Sequence, residues 1–359
     1  MTRPLTRLWI IVSVAITTFG LGLTAHAGVM SYTLTDLGTL PGESTSVAYG
    51  INNLGQVVGQ SGSSSFIYSG GQMTRLGGLP APIGINDSGQ PVYNPAGFSA
   101  TAFNNAGTFA GYNTGRSPVY SGEQAATYSN GVVTLIPAAT YHGPDPHLIL
   151  PILVASRAYG INNSGAVVGS VDLRPTSSTQ ETHPFLYSGG KTTDLGLLPG
   201  SKSAAAYAIN DAGHVVGGAA SGPGQAFLFK DGKLTELGSF GGTFGSAYYI
   251  NNRDQILGSS ALLGDGVSHE FLYENGKMSD LTELVKLLGG GDIHYLAGIN
   301  DSGQIAFDGV VDGKVHAYLL TPVPEPTTFA LAGAVAAILI GHRIRSSFKT
   351  KRPVASVVV

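Results

Sequence analysis

A nine-residue phrase that returns along the chain restricts this sequence to a small set of architectures. Ile51-Asn52-Asn53-Leu54-Gly55-Gln56-Val57-Val58-Gly59 recurs at residues 161–169, 209–217 and 250–258, and looser copies begin at Ile85, Phe103 and Ile299. Self-similarity at intervals of roughly 40 to 50 residues marks a stacked or radial array, in which no single unit can bury its apolar face alone. Within each copy an apolar residue leads into Asn-Asn or Asn-Asp, a small residue, Gly and a Val-Val pair. Asn, Asp and Gly tolerate the positive φ of tight hairpin turns, so the phrase predicts strand, turn, strand.

A second phrase alternates with the first. Phe185 to Gly196 is matched by Phe227 to Gly238, Phe271 to Leu281 and Phe66 to Gly77, with Gly-Gly, Asp-Gly or Asn-Gly supplying the turn. Two hairpins per repeat make four antiparallel strands, the content of one propeller blade. The array opens with Tyr32-Thr33-Leu34-Thr35-Asp36-Leu37-Gly38, the second half of the second phrase, and closes with His316-Ala317-Tyr318-Leu319-Leu320, the first half. These halves are expected to complete one hairpin between the two ends of the array and hide the sheet edges. The predicted fold is an all-β propeller over residues 28–322, built of four-stranded antiparallel blades and closed by N- and C-terminal strands. Residues 91–137 are degenerate, with prolines unsuited to central strands, so the count is six blades with one irregular insertion, or seven. No helical periodicity is read between the two ends.

Composition agrees with short strands and tight turns: Gly numbers 52 and only 11% of residues are charged. There is no cysteine, which excludes disulfides and thiolate metal sites. Residues 1–27 carry Arg3 and Arg7, an apolar run from Leu8 to Leu23 and then Ala25-His26-Ala27, the order of a secretory signal cleaved before Gly28. Near the other end an apolar run from Thr327 to Gly341 precedes Arg343, Arg345, Lys349, Lys351 and Arg352. A helix of that run spans about 22 Å against a hydrocarbon core of about 30 Å, so its flanks must snorkel. The assignment is a transmembrane helix over 327–344 and a basic cytoplasmic tail over 345–359, at least transiently held in the inner membrane. Removing Arg3, Arg7 and the five tail bases from 19, and Glu325 from 22, leaves 12 bases against 21 acids, a charge of −9. That balance offers nucleic acid no footprint, and an acidic polysaccharide would need a bridging cation.

Two resemblances arise at these residues. The alternating phrases resemble the HAF-repeat family of extracellular proteins, whose naming motif stands here as His316-Ala317-Tyr318, His183-Pro184-Phe185 and His269-Glu270-Phe271, with Gln225-Ala226-Phe227 departing at its first position. That family brings no chemistry to carry over. The tail Val323-Pro324-Glu325-Pro326, followed by the apolar run and the bases, resembles the PEP-CTERM sorting signal of bacteria with outer membranes. The resemblance implies that residues 323–326 hold the recognition motif Pro324, Glu325 and Pro326 for an exosortase, with signal peptidase acting at the other end. It also implies a place at the cell surface or in an exopolysaccharide matrix. The tail runs on from Arg345 to Val359, longer than the usual abrupt basic end.

Candidate chemistry is sparse. His183, His269 and His316 hold equivalent repeat positions, and a hydrogen bond to a neighbouring turn accounts for them better than a metal, since Gln225 stands at the same place. No metal or cofactor is assigned. The loop from Tyr141 to Pro151 combines His142, Asp145 and His147 and is the candidate ligand loop. Asp194, Glu236 and Asp280 recur at one position, and Asp87, Asp211 and Asp301 recur in turns, where a role in the fold is expected. Phosphate loops, zinc-protease helices and nucleophile elbows are missing. The only tryptophan is Trp9, inside the signal, so any sugar platform must be tyrosine, and Tyr68, Tyr187 and Tyr273 are committed to repeat positions. The expected function is an exported, non-catalytic interaction or structural module of the exopolysaccharide or biofilm matrix. The rival is a polysaccharide hydrolase or lyase using acids such as Asp145, Asp172 or Glu181.

Overall fold

The computed structural model describes residues 31–77, 80–113, 123–137, 152–176, 179–218, 224–264 and 266–323. Tyr32 to Val323 form one compact unit. It is an all-β propeller in which six of the described blades are four-stranded and antiparallel. Blade 1 comprises Ser46–Ile51, Val57–Ser61, Ser64–Ser69 and Gln72–Arg75. Blade 2 is only a two-stranded hairpin, Gly84–Ile85 with Pro91–Val92, and falls in the degenerate stretch. Blade 3 is Ser99–Phe103, Phe109–Asn113, Gln124–Ser129 and Val132–Leu135; blade 4 is Ile152–Ile161, Val167–Thr176, Thr179–Ser188 and Lys191–Asp194. Blade 5 is Ala205–Ile209, Val215–Gly218, Phe227–Lys230 and Lys233–Glu236; blade 6 is Gly241–Ile250, Ile256–Leu262, Ser268–Glu274 and Lys277–Asp280. Blade 7 is Asp292–Ile299, Ile305–Val311 and Lys314–Val323, with Ser31–Asp36 as its outer strand.

The ends of the array therefore share one sheet, as the complementary half-phrases require. The Leu37 amide donates to the Ala317 carbonyl at 3.0 Å, and Tyr32 packs with Tyr318 and Leu320 in one core cluster. Between neighbouring blades run the apolar cores. Val216, Ala226 and Leu237 of blade 5 meet Ala247, Ile256 and Phe271 of blade 6, and Leu37, Val57 and Phe66 meet Ala306 and Leu319 between blades 1 and 7. This is why one repeat cannot fold alone: half of each core belongs to its neighbour.

Both turn assignments hold. In the first phrase Gly165 sits at φ +82, and Asp254 takes the corresponding place in blade 6 at φ +58. In the second phrase both central residues have positive φ, as at Asn275 and Gly276, the geometry that suits the right-handed twist of a hairpin. The Gly after Val-Val has another reason. A Cβ on Gly217 would lie 2.0 Å from the Ala205 carbonyl oxygen and 2.5 Å from the Phe227 ring, so the fully buried Phe of the second phrase occupies its space.

One element departs from expectation. Leu281–Leu287 is a short helix, capped where the Asp280 side chain accepts from the Glu283 amide, and it buries Leu281, Thr282 and Val285. Repeat matching ends at Leu281, and the apolar spacing of Leu281, Leu284 and Val285 covers little more than one turn, too short for a helical period to stand out.

Candidate binding cavity on the propeller axis

The first phrase lies at the inner end of each blade, and its successive residues form layers along the axis. The outermost layer is a closed ring of seven turns. The amide of Asn53 donates to Asp87 Oδ1 at 2.8 Å, that of Asp87 to Asn105, Asn105 to Asn163, Asn163 to Asp211, Asp211 to Asn252, Asn252 to Asp301, and Asp301 back to Asn53. No two acids are adjacent in this ring, and every Asp is flanked by Asn on both sides. Asp211 Oδ2, for example, accepts from Asn163 Nδ2 at 2.9 Å and Asn252 Nδ2 at 3.2 Å. The carboxylates are thus spent on neighbouring amides. One residue earlier, Asn162 Oδ1 accepts from its own turn at the Ala166 amide while its Nδ2 donates to the Asn210 carbonyl of the next blade. Both halves of one side-chain amide are used, which explains why the phrase repeats Asn at this place.

Beneath the turns lies an apolar layer of Ile51, Ile85, Phe103, Ile161, Ile209, Ile250 and Ile299, which with the turns lines a shallow mouth of about 270 Å³. On the far side of this layer, where Ile161 and Ile209 are shared, the axis opens into a larger cavity of about 690 Å³. Its wall is built by a repeated irregularity. In all six four-stranded blades the innermost strand slips register at the same place, leaving Tyr49, Thr101, Tyr159, Tyr207, Tyr248 or Ala297 as the extra residue. A bulge re-aims its side chain. Tyr159, Tyr207 and Tyr248 consequently stand side by side on the cavity wall, ring centroids 5.6 and 5.8 Å apart, with Tyr249 and Tyr295 beside them.

The polar groups of the cavity are few. Tyr249 donates to the Leu296 carbonyl at 3.0 Å, and Tyr248 shares a hydrogen bond with Ser259 at 3.1 Å. Burial, reinforced by Tyr159 and Tyr248, pushes the Tyr207 phenol up to about 12, so it stays a neutral hydroxyl. Glu270 is the one carboxylate among the described lining residues. Burial alone raises it to about 7, and its Oε2 is buried without a hydrogen-bond partner. His294, exposed at the rim, meets the Tyr295 ring at 4.3 Å. No Lys or Arg appears in the described lining. The nearby Arg157 bonds the Tyr159 hydroxyl but is ion-paired with Glu123.

His142, Asp145 and His147, the cleavage residues Ala25, Ala27 and Gly28, the motif Pro324-Glu325-Pro326 and the cluster Arg343, Arg345, Lys349, Lys351 and Arg352 all fall outside the described residues. The three repeat histidines are on separate blades, and each Nδ1 meets a carboxylate and not a turn: His183 with Asp194 at 2.8 Å, His269 with Asp280 at 2.7 Å and His316 with Asp36 at 2.9 Å. The recurring acid of the second phrase is therefore the partner of the recurring histidine. Burial opposes the charged form of His183, but Asp194 and Glu181 outweigh it and raise its pKa. Among the described residues no group of three His or acidic side chains is placed to hold a metal ion. Asp172 accepts from Thr182 at 2.9 Å, whereas Glu181, opposite Leu173 in the register, points to the other face of blade 4 with His183. They do not converge, and neither lines the cavity.

What the sequence reading missed is the tyrosine wall and Glu270. The signal was present in the Ala-Tyr that precedes the phrase at Tyr49, Tyr159, Tyr207 and Tyr248.

No family model and no curated protein matches the chain. Distantly similar solved structures include a Trypanosoma rangeli sialidase (TM-score 0.38, 10% identity, 82% of this chain and 59% of that one). The extracellular domain of a one-component system from B. thetaiotaomicron is also similar (TM-score 0.43, 11% identity, 79% and 39%). So is a Hadza microbial sialidase (TM-score 0.39, 12% identity, 78% and 66%). The chain spans between 39% and 66% of the length of these proteins.

Proposed function

We propose that this protein is an exported HAF-repeat propeller that serves the exopolysaccharide or biofilm matrix as a non-catalytic module, binding glycan in its axial tyrosine cavity. The carrying observation is the row Tyr159, Tyr207 and Tyr248, presented to one open cavity of about 690 Å³ by a bulge repeated from blade to blade. That volume lies in the range of small-ligand sites, and phenol rings offer both an apolar face for sugar C–H groups and a hydroxyl for sugar oxygens. Export through residues 1–27 and sorting by an exosortase at Pro324-Glu325-Pro326, with residues 327–344 in the inner membrane meanwhile, rest on the sequence patterns.

Hydrolysis is the less favoured reading because the two-carboxylate route to glycoside cleavage needs a second acid across the scissile bond. Glu270 has no such companion in the described lining. The test is a panel of purified polysaccharides incubated with residues 28–322 and scored both for binding and for new reducing ends or unsaturated products. Binding without cleavage is expected. Depolymerisation lost in Glu270→Gln would establish an enzyme instead, and no binding to any polysaccharide would remove the cavity's proposed role. Sorting is tested in the full chain by replacing Pro324, Glu325 and Pro326 with alanine. Mass spectrometry should find the wild type cleaved before Val359 and the variant unprocessed in the inner membrane; identical fractionation of both would leave only a plain anchor.

A further inference from the structure

Resting on the glycan-binding reading, we infer that the sugars this cavity takes carry free amino groups, with an ammonium seated among the tyrosine rings and facing the Glu270 carboxylate. Three observations converge. The cavity has an aromatic wall, and the negative faces of phenol rings attract a cation. It contains one carboxylate, Glu270, whose Oε2 is buried and unpartnered. Finally, no Lys or Arg stands in the described lining, and Arg157 at the Tyr159 hydroxyl is engaged by Glu123.

A buried carboxylate without a cation or a full set of hydrogen bonds is a cost to the fold. The rest of the molecule shows how readily this chain supplies partners to its acids: Asp194, Asp280 and Asp36 each have a histidine, Asp254 has His214 and Lys230, and the ring acids have asparagine amides. Among the described lining residues Glu270 is the one with a buried side-chain oxygen left without a partner. Its neighbour in sequence, His269, turns to the other side of the strand and bonds Asp280, so it does not neutralise Glu270. An anionic sugar would meet this acid with no Lys or Arg in the described lining to offset the repulsion, and a neutral one could donate hydroxyl hydrogen bonds to it but bring no charge. An ammonium on the glycan satisfies it and uses the aromatic faces as well. The charge of −9 on residues outside the two terminal segments draws a cationic polymer and repels an acidic one at long range.

Isothermal titration of residues 28–322 with length-matched glucosamine, N-acetylglucosamine and glucuronate oligosaccharides in one near-neutral buffer tests this directly. The amino oligosaccharide should bind about tenfold tighter than its acetylated counterpart, and the acidic one weakest. Glu270→Gln, which keeps the side-chain shape, should lose that preference while melting no lower than the wild type. Equal or tighter binding of the acetylated or acidic oligosaccharide overturns the amino-sugar inference and leaves glycan binding standing. Failure of all three, together with the wider polysaccharide panel, overturns glycan binding itself. A short lysine peptide included as a further arm must bind more weakly than the amino oligosaccharide; if it binds more tightly and depends on Glu270, the ligand is a protein ammonium and the inference is wrong.

Discussion

The two ends of the propeller axis are made by residues only a few positions apart in the same repeated phrase, yet they differ in how much chemistry they leave available. At the ring of turns every carboxylate oxygen of Asp211 is committed to a neighbouring amide, and the Asn162 side chain serves its own turn and the next blade at once. In the tyrosine cavity the Glu270 Oε2 has no partner and the aromatic faces of Tyr159, Tyr207 and Tyr248 line open space. Saturated hydrogen bonding identifies the ring as a device for closure. Unspent groups identify the cavity as the place to look for a ligand. Repetition alone does not separate the two roles, because both layers repeat.

The comparison can be broken most severely at the closure. Deleting residues 28–40 removes the outer strand of blade 7, the Tyr32 core contact and the Asp36 partner of His316. The whole domain should then melt more than about 10 °C lower or fail to fold, since an exposed edge and half a core are left behind. A truncated protein melting like the intact one would mean that the ring is not closed by its ends.

A smaller change sharpens the contrast between the layers. Asn162→Ala removes an acceptor from the Ala166 amide and a donor to the Asn210 carbonyl, both buried, and should cost about 2 to 4 kcal/mol in chemical denaturation. Glycan affinity of the folded fraction should stay as it was. A loss of affinity equal to that of a cavity variant would show that the ring and the cavity do not have separate roles.

The smallest effect concerns pH. Asp308 is buried between blades 7 and 1, where burial raises it to about 7 although it accepts from the Ala48 amide at 2.6 Å. Its folded pKa lies above the unfolded one, so the folded state holds a proton that the unfolded state has lost. Stability from this group is full below the ordinary carboxylate range and is lost as pH rises through about 7. Asp308→Asn keeps an acceptor for Ala48 without the charge, and should gain about 2 kcal/mol above that window while flattening the pH dependence within it. Glu270 and His183 shift in the same direction and retain part of the slope. Denaturation midpoints across pH check this; a variant less stable than wild type above neutrality would contradict the burial argument.

Much of the fold was legible because its signals are local. Asn-Asn-x-Gly and Asn-Gly or Asp-Gly encode positive φ directly, and the split second phrase encodes the shared closing sheet. The site was not legible for a physical reason. Strict alternation assigns Tyr159 and Tyr207 to faces of a regular strand, whereas the bulge between Ala158 and Gly160, and between Ala206 and Ala208, rotates them onto the axis. Glu270 was hidden inside a motif read for its histidine, and its character comes from burial that only the fold creates. The pairing of His183 with Asp194 is of the same kind: each recurrence was visible, but that the two meet across adjacent strands needed the register.

The central claim, that the tyrosine cavity binds glycan while the ring only closes the fold, is tested most directly by comparing polysaccharide titrations of wild type, Tyr207→Ala and Asn162→Ala. Tyr207 is the middle ring of the row, so its removal should weaken binding by about tenfold or more while costing less stability than Asn162→Ala and leaving the domain folded. Asn162→Ala should show the reverse: lower stability and intact affinity. Undiminished binding in folded Tyr207→Ala would contradict the account, because the ligand would then be held somewhere other than the axis.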